Sequence, residues 1–354
     1  MLMTVSCFNV MRRSSTYKMI ENRDVYRPIL FFSIFYIFFF GFRPISGRYF
    51  GDTLNYAASY QLLEDFGVFN MEGSEDVGGD WLFNTLMHAC AQVMNVHFFF
   101  TIIMFFYIVM MFGGCKRIDN RHGALLMLFC IGAFSFYPYS VNGIRNGVAC
   151  SFVIMAVACL CKEEKVRALV WSFLAVGFHK STALPVAMMF FTYYVNKPKY
   201  MYIVWLGTIV LSLSIGGYID ILLSSISYDE RLASELQSND ADGLELEHRF
   251  RWDFLLYSSM PILLGWYTIF KRKMYNKTYL ILLGTYIYAN AFWILAIRAM
   301  FSNRIAYLSW FIYPIVLAYP LLKFPVFKKH HYEKTAWILL GNFGFTTILW
   351  LLGK

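Results

Sequence analysis

The chain has 354 residues, 58% hydrophobic and 20% aromatic, with only 15% charged and a mean hydropathy of +0.50. A soluble domain of this size cannot hide so much apolar surface, and the short alternating segments of a transmembrane barrel are missing. The net charge of +9 comes from Lys and Arg scattered through short connections, which argues for topology signals and against a nucleic-acid partner.

The expected class is therefore all-α, a polytopic integral membrane protein. The first 27 residues are polar and basic with no cleavage site after an apolar core, so the run that follows reads as a first span and not as a signal peptide. In chain order the apolar runs predict spans at 28–42, 96–112, 124–139, 143–161, 167–178, 181–196, 201–219, 254–270, 278–298, 303–322 and 335–352. About eleven crossings with no internal repeat and no low-complexity linker make one transmembrane domain, 1–354, the simplest organisation. The seven cysteines, at 7, 90, 115, 130, 150, 159 and 161, show no CxxC or Cys/His metal spacing and read as packing thiols.

Orientation follows from the connections. The tail 1–27 and the stretches "GGCKRIDNRHG", "CKEEKVR", "NKPK", "KRKMYNK" and "KFPVFKKHHYEK" are basic and belong in the cytoplasm. The loop 220–253 carries nine Asp or Glu against three Arg and belongs outside, as does 43–80. "WLFNTLMHACAQVMN" (81–95) is short and carries Asn84, His88 and Gln92 at helical spacing. A full crossing there puts the cations of 113–122 outside, so the expectation is a re-entrant or interfacial helix on the outer side. The competing reading is a true span with the N-terminus outside.

In this topology the unusual polar residues collect at one face. Arg145 opens a span in "NGIRNGVACSF", His179 and Lys180 sit in the outer turn "GFHKSTALP", and Arg298 and Arg304 flank another. Asp52 in "GDTLNY" and Asp80 in "GGDWLF" belong to the first outer loop. Asn142, Ser181 or Thr182, and Ser302 or Asn303 stand where helix caps are expected, so three helix N-termini point inward from the same side. Free N–H groups, helix dipoles and arginine forks together favour an anion, phosphate above all. Each residue also has a plainer use: an arginine at a helix end snorkels to headgroups, a boundary histidine satisfies a carbonyl, Asp52 caps the helix after it.

In "DTLNYAASY", "DWLFNTL", "IRNGVACSF", "FHKSTALPVAMMFF" and "NRIAYLSWFIYPI", taken in that order from about residue 52 to 315, the chain resembles the EpsG-type family of bacterial Wzy-like polysaccharide polymerases. It departs from the family's Glu-then-Gly pattern, with Gly78 and Gly79 preceding Asp80. The resemblance implies a GT-C-like architecture in the bacterial inner membrane with the N-terminus cytoplasmic. It implies polymerisation of undecaprenyl-pyrophosphate-linked oligosaccharides, both donor and acceptor, into O-antigen, capsule or exopolysaccharide. A chain-length regulator and a flippase are the implied partners besides membrane lipid.

A hydroxyl of one repeat then attacks the anomeric carbon of another, and the lipid pyrophosphate leaves. Arg145 and Arg304 are expected to stabilise that leaving group, helped by Arg298 and Lys180. His179, then Asp52, is expected to take the acceptor proton. Asp80, Tyr56 and Trp81 are expected to bind substrate, the aromatics by stacking on sugar. No DxD-like motif is present, so no metal or other cofactor is expected. A flippase or transporter of the same lipid-linked sugar, an O-antigen ligase and a membrane O-acyltransferase are the alternatives.

Overall fold

The computed structural model describes residues 22–66, 80–226, 250–298 and 302–351. The tail 1–21, most of the acidic loop and part of the first outer loop lie outside the described residues. Every regular element among those described is helical. The chain divides into two compact units, 1–183 with 318–354, and 184–317.

The first unit holds α1 (Asn22–Gly41), α2 (Thr53–Phe66), α3 (Trp81–Ala91), α4 (Val96–Ile118), α5 (Gly123–Ile131), α6 (Phe136–Val141), α7 (Ile144–Cys161) and α8 (Lys165–Phe178). A 3₁₀ turn at Lys180–Thr182 follows. α4 is apolar all round, begins under Asn95, whose Oδ1 accepts from His97 and Phe98 N–H, and ends on Lys116 and Arg117. α7 is the centre of the unit, with 78% of its residues buried. Small residues let backbones approach it, as expected between helices in lipid. A Cβ on Gly147 would stand 2.4 Å from the Tyr139 carbonyl oxygen, and one on Gly114 would stand 2.6 Å from the Ile154 side chain.

The second unit holds α9 (Ala183–Tyr194), α10 (Pro198–Ile226), α11 (Trp252–Trp266), α12 (Lys277–Leu295) and α13 (Ser302–Trp310). α14 (Tyr313–Lys323) and α15 (His331–Leu351) complete the chain. Three bonds pair buried polar groups of the second unit: Asn290 accepts from Trp205 Nε1 at 3.0 Å and donates to Ser309 Oγ at 3.2 Å, and Trp310 Nε1 donates to Ser258 Oγ at 2.8 Å. In a dry interior an unpaired group there would cost several times what the bond contributes.

Among the described residues, five helices are long and apolar enough to cross a membrane: Val96–Ile118, Ile144–Cys161, Pro198–Ile215, Lys277–Leu295 and Ser302–Lys323. The eleven predicted runs are largely helical where described, but several fall short of that length. The expected span 124–139 is not one rod, because α5 stops at Gly132 and α6 begins only at Phe136. The break is buried, and the freed Gly132 carbonyl accepts from Asn342 Nδ2 and Thr346 Oγ1 on α15, as buried non-helical backbone requires. α3 has 11 residues, roughly 16 Å of helix, well below a hydrocarbon core of about 30 Å.

Between α4 and α5, Asp119 is buried against His122 Nδ1 at 3.0 Å and Lys323 Nζ at 3.5 Å. Burial alone pushes its carboxyl up, but the His122 hydrogen bond and charge, Lys323 and the Arg121 N–H outweigh it and hold the group at about 2. The lowered value means that this tie stabilises the fold above about pH 4 and is lost as pH falls toward 2. Asp119→Asn should lower thermal stability in detergent by roughly 2 kcal/mol at neutral pH, and the difference from wild type should vanish near pH 2. The neighbouring Asn120 is exposed. Asn120→Cys, in a chain lacking its native thiols, should resist an impermeant maleimide added to cells whose outer barrier has been permeabilised. Labelling would overturn the cytoplasmic placement of 113–122.

Candidate active site

Asp80 occupies the N-cap position of α3, where an aspartate ordinarily accepts from the first free N–H groups. It makes no such bond. Its carboxylate, in a residue only 1% exposed, turns instead to three donors from elsewhere in the first unit. Oδ2 accepts from Arg145 Nη1 at 3.0 Å and from His179 Nδ1 at 2.9 Å, while Oδ1 accepts from the Lys180 backbone N–H at 3.0 Å. A buried carboxylate is tolerated only with such pairing.

Each partner is positioned by local structure. Arg145 lies in the first turn of α7, which begins at Gly143 with no side-chain cap. Its Nε donates to the Tyr56 hydroxyl at 3.2 Å, and its guanidinium lies 5.6 Å from the Tyr56 ring and 5.8 Å from the Phe83 ring. His179 ends α8 in an extended conformation that turns the chain into the 3₁₀ segment, where Thr182 Oγ1 donates to the His179 carbonyl. Burial pushes the Tyr56 phenol up while Arg145 pulls it down, and the net shift upward keeps the hydroxyl protonated.

The sequence-predicted residues divide accordingly. Asp80, Arg145, His179, Lys180 and Tyr56 are brought together, Lys180 through its backbone. Asp52 stands beside the group, half-buried: its backbone N–H donates to Asn142 Oδ1 at 2.8 Å, and its carboxylate is in electrostatic reach of Arg145 and Tyr56. Asn142, expected to cap α7, is spent on this clasp. Asp80, expected to bind substrate, has its oxygens engaged by protein donors. Tyr56, expected to stack on sugar, is buried with its hydroxyl on Arg145. Trp81 is half-exposed and its ring lies tilted against Phe173. Arg298, near Phe250, and the exposed Arg304 belong to the 184–317 unit. Ser302 is the first described residue of α13, and the turn before it lies outside the described residues.

The arrangement has two working atoms. Among the described residues, Arg145 Nη2 and His179 Nε2 have no protein partner, and their side chains keep 12% and 20% exposure. The first offers N–H to an anion. The second is a proton-accepting nitrogen on a ring whose other nitrogen is held by a carboxylate, the pairing that orients a histidine base. No group of three or more His, Cys, Asp or Glu among the described residues is placed to hold a metal ion.

Sequence reasoning missed Asn142 as a clasp and Phe83 as a wall of the site. Gly51, at φ +51° with a hypothetical Cβ only 2.4 Å from Asn142 Oδ1, was the available signal of a tight approach in "FGDTLNY".

No match was found among curated proteins or among solved structures. A family model described as the EpsG family matches residues 26–351, nearly the whole chain and every residue of the cluster. That family suggests a polysaccharide polymerase-like function, of glycosyltransferase type, in a membrane protein. The chain belongs to the EpsG family.

Proposed function

We propose that the protein polymerises undecaprenyl-pyrophosphate-linked oligosaccharide repeats at the outer face of the inner membrane, with the Asp80-linked pair of Arg145 and His179 as its chemical centre. The observation that carries this reading is one buried carboxylate holding a cation and an imidazole, each with an open nitrogen, at adjoining helix ends.

In the reaction His179 Nε2 takes the proton of the acceptor hydroxyl as its oxygen bonds to the anomeric carbon. The bond from that carbon to the pyrophosphate oxygen breaks, and the electron pair leaves with the lipid pyrophosphate. Arg145 Nη2 donates to the oxygen that gains charge. Asp80 stabilises the imidazolium formed on His179 and holds both side chains in register. Asp52 is the second candidate for the acceptor side.

One lipid-linked repeat supplied to purified protein, with no lipid A present, tests the reaction class. A ladder of products supports a polymerase; unchanged substrate points to a ligase or a transporter. Arg145→Lys keeps the charge but not the fork, and should lose roughly tenfold to a hundredfold in rate at normal abundance. A snorkelling arginine predicts near-normal activity for the lysine variant. Arg304→Ala, made alongside, tests the proposal that this residue also serves the leaving group.

His179→Ala should abolish the ladder, and Asp80→Asn should cost about a hundredfold or more because the ring loses its orienting acceptor. Arg145→Ala alone leaves Asp80 under-compensated and should also destabilise the fold. Arg145→Ala with Asp80→Asn should regain stability while remaining inactive, so recovery of both would refute the assignment.

A further inference from the structure

Arg43 is 2% exposed, among the most buried large side chains described, and it forms no ion pair among the described residues. It lies just past α1, in "GFRP", and has no part in the chemistry above. Its Nη1 donates to the Phe40 carbonyl at 2.8 Å, its Nε donates to Thr53 Oγ1 at 3.0 Å, and its guanidinium lies 4.2 Å over the Phe100 ring. Nη2 is buried without a partner. Burial pulls the group down to about 10, with Tyr36, Tyr137 and Tyr56 opposing, so it stays charged near neutrality. A buried guanidinium with no carboxylate is a poor stabiliser, and an apolar side chain of similar volume would serve packing at least as well.

The bond to Thr53 gives the arginine a use. Thr53 opens α2, and its hydroxyl, having accepted from Arg43, donates to the Val141 carbonyl at 3.0 Å. One residue earlier the Asp52 N–H bonds Asn142, and one turn later Tyr56 receives Arg145 Nε. Arg43, Thr53 and Val141 therefore pin the start of α2 to the end of α6, three residues before α7 begins. Gly51 makes the close turn that this requires.

We propose that Arg43 is a positioning residue of the site: acting through Thr53, it holds Asp52 and Tyr56 in place against Arg145. This rests on the functional reading above, because it gives Arg43 a part in turnover beyond packing.

The test uses the full chain in detergent or nanodiscs, with Arg43→Met, which keeps volume over Phe100, and Arg43→Lys, which keeps charge without the fork. Amide hydrogen exchange and polymerisation are measured on each. Both variants should exchange about tenfold faster over 51–57 and 140–146 with 150–160 unchanged, and kcat per folded molecule should fall about tenfold with a smaller change in KM. Thr53→Val, which removes the shared hydroxyl with little change of shape, should reproduce both effects and serves if the arginine variants do not fold. Unchanged exchange in the two stretches overturns the proposal. So does faster exchange with normal polymerisation while Arg145→Ala is inactive. If Arg145→Ala is also normal, the functional reading has failed, and faster exchange still supports Arg43 as the residue that pins α2.

Discussion

The site depends on how the Asp80 carboxylate is neutralised. A carboxylate 1% exposed inside an apolar chain is costly unless its charge and lone pairs are met. Two side chains and a backbone N–H meet them, from the start of α7 and the end of α8. The same bonds that make Asp80 tolerable hold Arg145 and His179 in one orientation each. In the proposed reaction, stability and chemical preorganisation are thus one set of contacts, and loss of any member weakens both. The diverted N-cap shows the direction of this economy: α3 gives up an ordinary capping bond so that its aspartate can serve across helices.

The surrounding packing makes such precision available. α7 is buried over most of its length, and close approaches at Gly147 and Gly114 hold it against α6 and α4. A helix gripped on several sides does not rotate, so the side chain of its first turn has a defined direction. The broken segment α5–α6 adds a second constraint. By ending at Val141 it delivers a free carbonyl and the Asn142 side chain to the start of α2, where Thr53 and Asp52 take them up. Buried non-helical backbone is tolerated there because protein donors replace water.

Much of this was legible in the chain itself, and the failures are informative. Arg145, His179 and Lys180 stood out because a cation or imidazole at the edge of an apolar run is expensive, and that cost shows in a single sequence. Asp80 was read as a substrate-binding residue and Asn142 as a cap because each was judged from its neighbours in sequence. Their real partners are remote: Arg145 is 65 residues from Asp80, His179 is 99, and Asn142 reaches back 90 residues to Asp52. Arg43 passed unnoticed, since an arginine followed by proline after an aromatic run looks like an ordinary membrane-boundary residue. The break between α5 and α6 was also invisible, because apolarity continues through Gly132–Ser135 while the backbone does not.

Composition and periodicity by themselves determined that this is a helical membrane protein, where its apolar helices run, and which polar residues stand at their ends. Those are properties of local free energy: transfer of side chains into an apolar medium and hydrogen bonding within a helix, both readable over a window of about 20 residues. Only the tertiary structure decided that Asp80 is the common partner of Arg145 and His179, and that Arg43 reaches the site through Thr53. The physical reason is that a buried charge must be neutralised by whatever side chain the fold brings within about 3 Å. That choice is made between helices, by packing that no local pattern encodes.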